Sequence, residues 1–255
     1  MESQIDTGEG DDTITGTGFD YGIINGGTAN TGNGKDSIIS YGRFANNTMF
    51  LEDGDDSIIS HGVFSNSTMF LGDGNDSIVA DIDFPGRAIE NYIMIDTGDG
   101  NDTITSNGVI YNEGVINTGD GADSIIVDGD IDGTGTGYGI YNNGGAINTG
   151  DGNDIIIANE GFESGLNNSG AWFLGEGEDY IKGFGSGDFY GGNGFDTLEL
   201  TPGTYTVGIW GEGGESPIFT KGNQLMITSE FERLRAGSTI YDFTSLTAGQ
   251  IIVVA

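Results

Sequence analysis

Nine aspartates recur at one position of a glycine-rich motif in this chain of 255 residues. Eight copies of the motif read Gly-x-Gly-x-Asp, and a ninth, which begins at Glu52, lacks only the first glycine. Successive copies begin 17 to 31 residues apart, which is the spacing of an internal repeat with insertions. The motif aspartates are Asp12, Asp36, Asp56, Asp76, Asp102, Asp123, Asp154, Asp179 and Asp196. Their recurrence in one type of turn predicts ligands for a hard cation.

The glycines of the motif complete the chemistry of this predicted site. Glycine adopts positive φ angles, so that the turn can direct its carbonyl oxygens beside the carboxylates. The chain has no cysteine, and the motif supplies oxygen ligands only. Such a flexible anionic cage suits calcium better than magnesium, and we expect several calcium ions. The predicted metal-site glycines are Gly8, Gly10, Gly32, Gly34, Gly54, Gly72, Gly74, Gly98, Gly100, Gly119, Gly121, Gly150, Gly152, Gly175, Gly177, Gly192 and Gly194.

Short β-type segments separate the motifs and must position them. A serine or threonine followed by isoleucine comes directly after six of the nine aspartates, and a second short strand leads into the next turn. Two strands and two turns make one coil of a solenoid, and about nine coils would give a rod of roughly 40 Å. The repeat aligns one internal ladder, Ile14, Ile38, Ile58, Ile78, Ile104 and Ile125, and a facing ladder, Met49, Met69, Ile95, Ile116, Ile147 and Trp172.

Stacking of the coils brings the aspartates into one file, at the spacing of neighbouring strands. Unit charges about 5 Å apart repel by roughly 3 kcal/mol at an effective dielectric constant of about 20. The formal net charge of −33 also disfavours nucleic acid and anionic membranes as partners. Aspartate and glycine suit tight turns without any metal, but nine aspartates in register call for a counterion.

The segments GDGNDTI, GDGADSI and GGNGFDTLE resemble the glycine- and aspartate-rich nonapeptide of RTX proteins, over about residues 7 to 200. The resemblance implies an all-β fold, a right-handed parallel β-roll or β-solenoid. It also implies calcium held between successive turns by the aspartate side chains and loop carbonyls. Typical members repeat every nine residues and bind along both edges, whereas most coils here carry the motif on one edge. Asp179, Asp188 and Asp196 approach nine-residue spacing, so Asp188 is predicted to bind calcium at the second edge.

Two regions follow from the extent of the repeat. Residues 1–197 are predicted to be the calcium-binding solenoid, and residues 198–255 a C-terminal β cap. A cap is expected because an open strand edge recruits other chains. The resemblance implies secretion by a type I system, and the apolar residues 251–255 are compatible with its C-terminal export signal. We therefore expect a secreted, extracellular or cell-surface protein that is not inserted into a membrane.

The sequence favours a binding or structural role over catalysis. The single histidine, His61, occupies the place of Tyr41 in the preceding repeat, and no nucleophile is accompanied by a plausible base. The first hypothesis is a structural or adhesive protein, with a cell-surface polysaccharide or self-association as further partners. One alternative is an ice-binding solenoid, which thermal hysteresis would reveal. Another is the noncatalytic RTX module of a secreted polysaccharide-active enzyme, which an activity screen on polyuronates would reveal.

Two smaller patterns lie in the clearest pair of repeats, residues 35–54 and 55–74. Asn46 and Asn66 begin glycosylation acceptor sequences, and asparagine also suits turns. Phe50 and Phe70 are predicted to point outward one coil apart and to stack on each other.

Overall fold

The chain folds into two long β-sheets that face each other. A computed structural model describes residues 4–18, 20–129, 137–165, 170–211 and 216–255. In these ranges the structure is β throughout, apart from one short 3-10 helix, Phe243–Ser245. The predicted all-β class is confirmed.

The first sheet contains 16 strands. They are β1 (Gln4–Asp6), β3 (Tyr21–Asn30), β5 (Arg43–Phe50), β7 (Phe64–Phe70), β9 (Arg87–Asp96), β11 (Val109–Asn112), β12 (Val115–Asn117), β14 (Ile140–Asn142), β15 (Ala146–Asn148), β17 (Phe162–Ser164), β18 (Ala171–Gly177), β20 (Gly187–Gly194), β22 (Gly203–Trp210), β23 (Ser216–Lys221), β24 (Gln224–Ser229) and β27 (Ile251–Val254).

The second sheet contains 11 strands. They are β2 (Thr13–Gly16), β4 (Ser37–Ser40), β6 (Ser57–Ser60), β8 (Ser77–Ala80), β10 (Thr103–Ser106), β13 (Ser124–Val127), β16 (Ile155–Ala158), β19 (Tyr180–Lys182), β21 (Thr197–Leu200), β25 (Arg233–Ala236) and β26 (Thr239–Asp242).

Successive repeats stack in parallel and in register, as the repeat predicts. In the second sheet the strand order is β2-β4-β6-β8-β10-β13-β16-β19-β21-β25-β26, and Ile38 pairs with Ile58 and Ile58 with Ile78. In the first sheet Met49 pairs with Met69 and Met69 with Ile95. Both predicted ladders are thus confirmed. Equal side chains stack because parallel pairing places equivalent positions of neighbouring coils side by side.

The first sheet is interrupted along its length by a line of register irregularities, between Asn25 and Thr28 and between Asn66 and Thr68, which we call the bend. The long strand β9 pairs through its first half with β11 and through its second half with β12. Later coils continue the two halves as separate short strands, β14 with β15 and then β17 with β18. A file of asparagines lies at the bend.

The core is a narrow apolar strip between the sheets. Both ladders contribute fully buried side chains, and Phe44, Phe64 and Phe162 fill the wider part near the bend. The outward Phe50 and Phe70 rings stack with centroids 5.3 Å apart, as predicted. Within the described ranges, no helix has the length and apolar character needed to cross a bilayer.

The C-terminal region closes the solenoid with antiparallel strands, which confirms the predicted cap. Strands β22 and β23 form an antiparallel pair, and β23 pairs antiparallel with β24. β27 adds to the free side of β22, and β26 folds back on β25. Parallel stacking nevertheless continues beyond residue 197, since β24 pairs parallel with β20 and β25 with β21. The last parallel coil therefore contains residues of the segment predicted to be the cap.

Candidate metal centre

All nine motif aspartates lie in one file along one edge of the solenoid. Each follows the turn that leads from a first-sheet strand into a second-sheet strand, as Asp36 does between β3 and β4. The main chain fixes this position, because the amide after each aspartate donates to the aspartate carbonyl of the preceding coil. Ser57 N, for example, donates to the Asp36 carbonyl at 2.9 Å. The sequence prediction of a single file is confirmed.

One oxygen of each carboxylate from Asp36 to Asp196 is used in a hydrogen bond between coils. The amide N–H of each motif aspartate donates to Oδ1 of the motif aspartate in the next coil. The distance is 2.7 Å from Asp36 N to Asp56 Oδ1 and 2.7 Å from Asp76 N to Asp102 Oδ1. It is 2.9 Å at the far end, from Asp179 N to Asp196 Oδ1. These bonds hold each carboxylate at the junction of two coils.

The other oxygen of each carboxylate is buried without a hydrogen-bond partner. This holds for Oδ2 of all nine motif aspartates. Eight of these residues are at most 2 % exposed, and Asp12, in the first coil, is half-buried. A buried oxygen that could carry negative charge costs free energy unless it is hydrogen-bonded or bound to a cation. A whole row of such oxygens is therefore the strongest sign of a ligand in the molecule.

Burial raises the pKa of seven of the file aspartates, and a neighbouring carboxylate adds to the effect in all of them except Asp179: Asp56, Asp76, Asp102, Asp123, Asp154, Asp179 and Asp196. Loss of hydration raises the pKa of Asp76 to about 8, and those of Asp56 and Asp154 to about 7. The same cause raises the pKa of Asp123 and Asp196 to about 6. Without a cation, the fold thus opposes ionisation of these groups near neutral pH.

Glycine is required in the turns by both backbone angle and space. Gly98 has a φ of 93°, and a Cβ on it would lie 1.8 Å from the Gly72 carbonyl oxygen. A Cβ on Gly121, with a φ of 149°, would lie 1.5 Å from the Gly100 carbonyl oxygen. The turn carbonyls of one coil therefore face the bare glycine Cα atoms of the next coil. Glu52 keeps the left-handed conformation of the glycine that it replaces, with a φ of 67°.

The donor set fits a hard cation held between coils. Among the residues that the structure describes, no three His, Cys, Asp or Glu side chains converge as in a compact metal centre. Ligands must therefore come from the unsatisfied Oδ2 atoms together with the main-chain carbonyls of the turns. This oxygen-only set matches the preference of calcium, and its neutralising charge would remove the cost of burying the carboxylates.

Two acidic residues lie outside the repeated pattern of the file. Asp188, which was predicted for the second edge, lies in β20 of the first sheet, where it pairs in register with Ala171 and Ile227, and its binding of calcium stays a prediction. The file ends at Glu232, whose Oε2 accepts the Asp196 amide at 2.7 Å. Glu232 lies outside the repeat, so no spacing in the sequence could identify it.

A second buried file was missed by the sequence analysis. It consists of Asn25, Asn46, Asn66, Asn91, Asn112 and Asn142, at the bend of the first sheet. Each Nδ2 from Asn25 to Asn112 donates to the next asparagine Oδ1 and to a carbonyl, as Asn91 does to Asn112 at 2.7 Å and to Val115 at 2.8 Å. Asn46 and Asn66 therefore lie inside strands, and their assignment to turns is wrong. Their equal position in the two clearest repeats was the available signal.

No protein-family model matches the chain, and no curated protein is significantly similar to it in sequence. The interpretation of the aspartate file therefore depends on its geometry and on the chemistry of its atoms.

Proposed function

We propose that the chain is a calcium-binding β-solenoid of the RTX type, with cations held between coils along the aspartate file. The observation that carries the proposal is the row of nine buried Oδ2 atoms without hydrogen-bond partners. Nine successive turns enclose eight junctions. Eight divalent ions would change the formal net charge from −33 to −17, which still favours solubility.

The same atoms suggest a folding switch. In a calcium-poor compartment the ionised file would repel itself and keep the coils apart, because each stacking step buries another carboxylate. In a calcium-rich medium, binding to the folded state alone would add its free energy to folding. Each junction shares a carboxylate with the next, so we expect the coils to form cooperatively.

This switch suits a protein that is exported unfolded and folds outside the cell. We propose a secreted or cell-surface location and a structural or adhesive role rather than catalysis. The in-register rod, with repeated outward positions on each face, supports that role. Loop sites in extracellular proteins typically bind calcium with dissociation constants of about 0.1 to 1 mM, which sets the range to search.

Far-ultraviolet circular dichroism during a calcium titration tests the proposal. The metal-free chain at pH 8 should lack most of its β signal and regain it cooperatively with calcium. Isothermal titration calorimetry should give about eight ions per chain. Magnesium at equal concentration should have a much smaller effect, because it dehydrates reluctantly. Full β structure at pH 8 after metal removal, with no calcium bound on titration, would overturn the proposal.

A further inference from the structure

A continuous column of outward side chains runs along the first sheet, through the first halves of its long strands and through β11 and β14. None of these side chains belongs to the cation site. Parallel pairing places the members of the column in successive coils: Ile24, Ala45, Ser65, Glu90, Tyr111 and Tyr141. At roughly 4.8 Å per coil, six positions extend about 24 Å along the rod. We call this surface, together with the adjoining Tyr92 and Tyr138, the tyrosine column.

One end of the tyrosine column is a groove. The small side chains of Ala45 and Ser65 lie along a cavity of about 360 Å³, which Asn47 and Ser67 also line. Tyr92 lies at the end of this groove nearest the other tyrosines and is 42 % exposed. The groove is thus shallow, it is lined by small and amide side chains, and it has an aromatic ring at its end.

The other end is a cluster of four tyrosines. The ring centroids are 6.5 Å apart for Tyr92 and Tyr111, 5.3 Å for Tyr111 and Tyr141, and 5.1 Å for Tyr138 and Tyr141. The ring planes of all three pairs are strongly tilted, by 57° to 73°. The rings therefore do not cover each other's faces by parallel stacking. By contrast, Phe50 and Phe70, on the other half of the same sheet, stack in parallel and cover each other's faces.

Polar groups fix this cluster in place. The guanidinium of Arg87 lies 3.5 Å from the centre of the Tyr111 ring. The Tyr111 hydroxyl donates to the Glu113 carboxylate, and the Asn143 amide donates to the Tyr111 hydroxyl at 3.0 Å. Tyr111 is 7 % exposed and serves as a support, whereas Tyr92, Tyr138 and Tyr141 remain accessible. A surface that is ordered before binding loses little entropy on binding.

The charge of the column differs from that of the turn edge. Arg43 and Arg87 flank Glu90, with N to O distances of 3.7 Å and 3.6 Å. These are two of only seven basic residues in the chain. Cation and anion therefore compensate each other locally, on a rod that otherwise repels polyanions.

We propose that the tyrosine column binds a neutral polysaccharide lengthwise. The C–H faces of sugar rings pack on accessible aromatic faces, and sugar hydroxyls pair with carboxylate, amide and guanidinium groups. The elongated surface, which extends over six coils, suits a linear polymer, whereas a stable protein partner needs about 800 Å² with an apolar centre. The proposal goes beyond the cation site and uses none of its residues.

Calorimetric titration of the full calcium-loaded chain tests the proposal with three probes: cellohexaose, mannohexaose and hexagalacturonate. At least one neutral hexasaccharide should bind, and more tightly than the acidic one. Tyr92→Ala combined with Tyr138→Ala should weaken that binding at least tenfold. Tyr190→Ala, a matched change at an exposed tyrosine outside the column, should alter it less than twofold.

Circular dichroism in calcium verifies that each variant is folded, so a failure here is distinct from a failure of the cation site. Should the double variant not fold, Tyr92→Ala alone replaces it, since that side chain is exposed. Binding of none of the three probes would overturn the proposal. Equal or tighter binding of hexagalacturonate, or an equal loss in Tyr190→Ala, would also overturn it.

Discussion

Each aspartate of the file divides its two carboxylate oxygens between different tasks. From Asp36 to Asp196, Oδ1 accepts an amide hydrogen and joins two coils, while Oδ2 is left for a ligand. A proton and a cation are the two species that can neutralise this second oxygen. The two therefore compete, and pH changes the fold differently with and without calcium.

In metal-free buffer, acidification should restore β structure. Burial raises the pKa of Asp76 to about 8 and that of Asp56 to about 7, above the ordinary value near 4. A raised pKa means that the folded state binds protons more tightly, so stability is greatest below about pH 4 and is lost as pH rises through about 6 to 8. Circular dichroism at pH 5.5 and 8.5 measures the effect. In saturating calcium the β signal should persist at pH 8.5, and loss of metal-free β structure on acidification would contradict the assignment.

Replacing one buried carboxylate should remove calcium without breaking the coil junction. In the unaltered chain the Asp56 amide lies 2.7 Å from Asp76 Oδ1. Asp76→Asn keeps an oxygen that can accept this hydrogen bond but removes the negative charge at Oδ2. We expect one or two fewer ions in calorimetry and a calcium midpoint several-fold higher, because Asp76 borders two junctions. The metal-free β signal at pH 8 should not fall, since a buried charge has been removed. The exposed Asp73→Asn is the matched control, and an equal loss of ions there would assign binding to the surface acids.

At the scale of elements, the two polar files have different tasks. The asparagine file satisfies its own hydrogen bonds between coils and needs no ligand. The aspartate file satisfies only half of its oxygens. The bend of the first sheet therefore needs no ligand to complete its hydrogen bonds, while the turn edge leaves one buried oxygen of each aspartate for a ligand.

The turns should respond oppositely to two glycine changes. Glu52→Gly relieves a non-glycine residue at positive φ and should stabilise the calcium-loaded fold by about 1 kcal/mol. Gly121→Ala places a Cβ 1.5 Å from a carbonyl oxygen and should destabilise it by about 2 to 4 kcal/mol. Thermal unfolding in saturating calcium measures both changes. Gly26→Ala, where a Cβ meets nothing within 4 Å, is the control and should change stability little.

At the scale of the whole molecule, charge and topology act together. Nearly all strand pairing joins neighbouring coils, so no coil can bury its apolar strip alone. A net charge of −33 opposes that stacking until cations bind. The antiparallel strands of the C-terminal cap pair with the last parallel coil and so cover its free edge.

Small-angle scattering should therefore show a large compaction on calcium binding. For 255 residues, the radius of gyration should fall from roughly 50 Å for an open chain towards roughly 20 Å for the folded rod. The transition should coincide with the gain of β signal in circular dichroism. Sodium chloride at the same ionic strength is the control, since screening alone supplies no ligand for Oδ2. Equal compaction in that salt would assign the effect to general screening.

The sequence alone determined the coil, its register and the aspartate file. It could do so because each repeat carries the same residue types at the same positions, and parallel stacking places equal positions next to each other. The isoleucine and methionine ladders follow from the same rule.

The tertiary structure decided what depends on contacts between coils or on residues outside the repeat. It divided the carboxylate oxygens, buried the asparagine file at the bend, ended the aspartate file at Glu232 and kept Asp188 apart from it. It also extended parallel stacking to β24 and β25 after an antiparallel excursion. Apart from the asparagine file, none of these has a periodic signature, because each is set by where a distant part of the chain comes to lie.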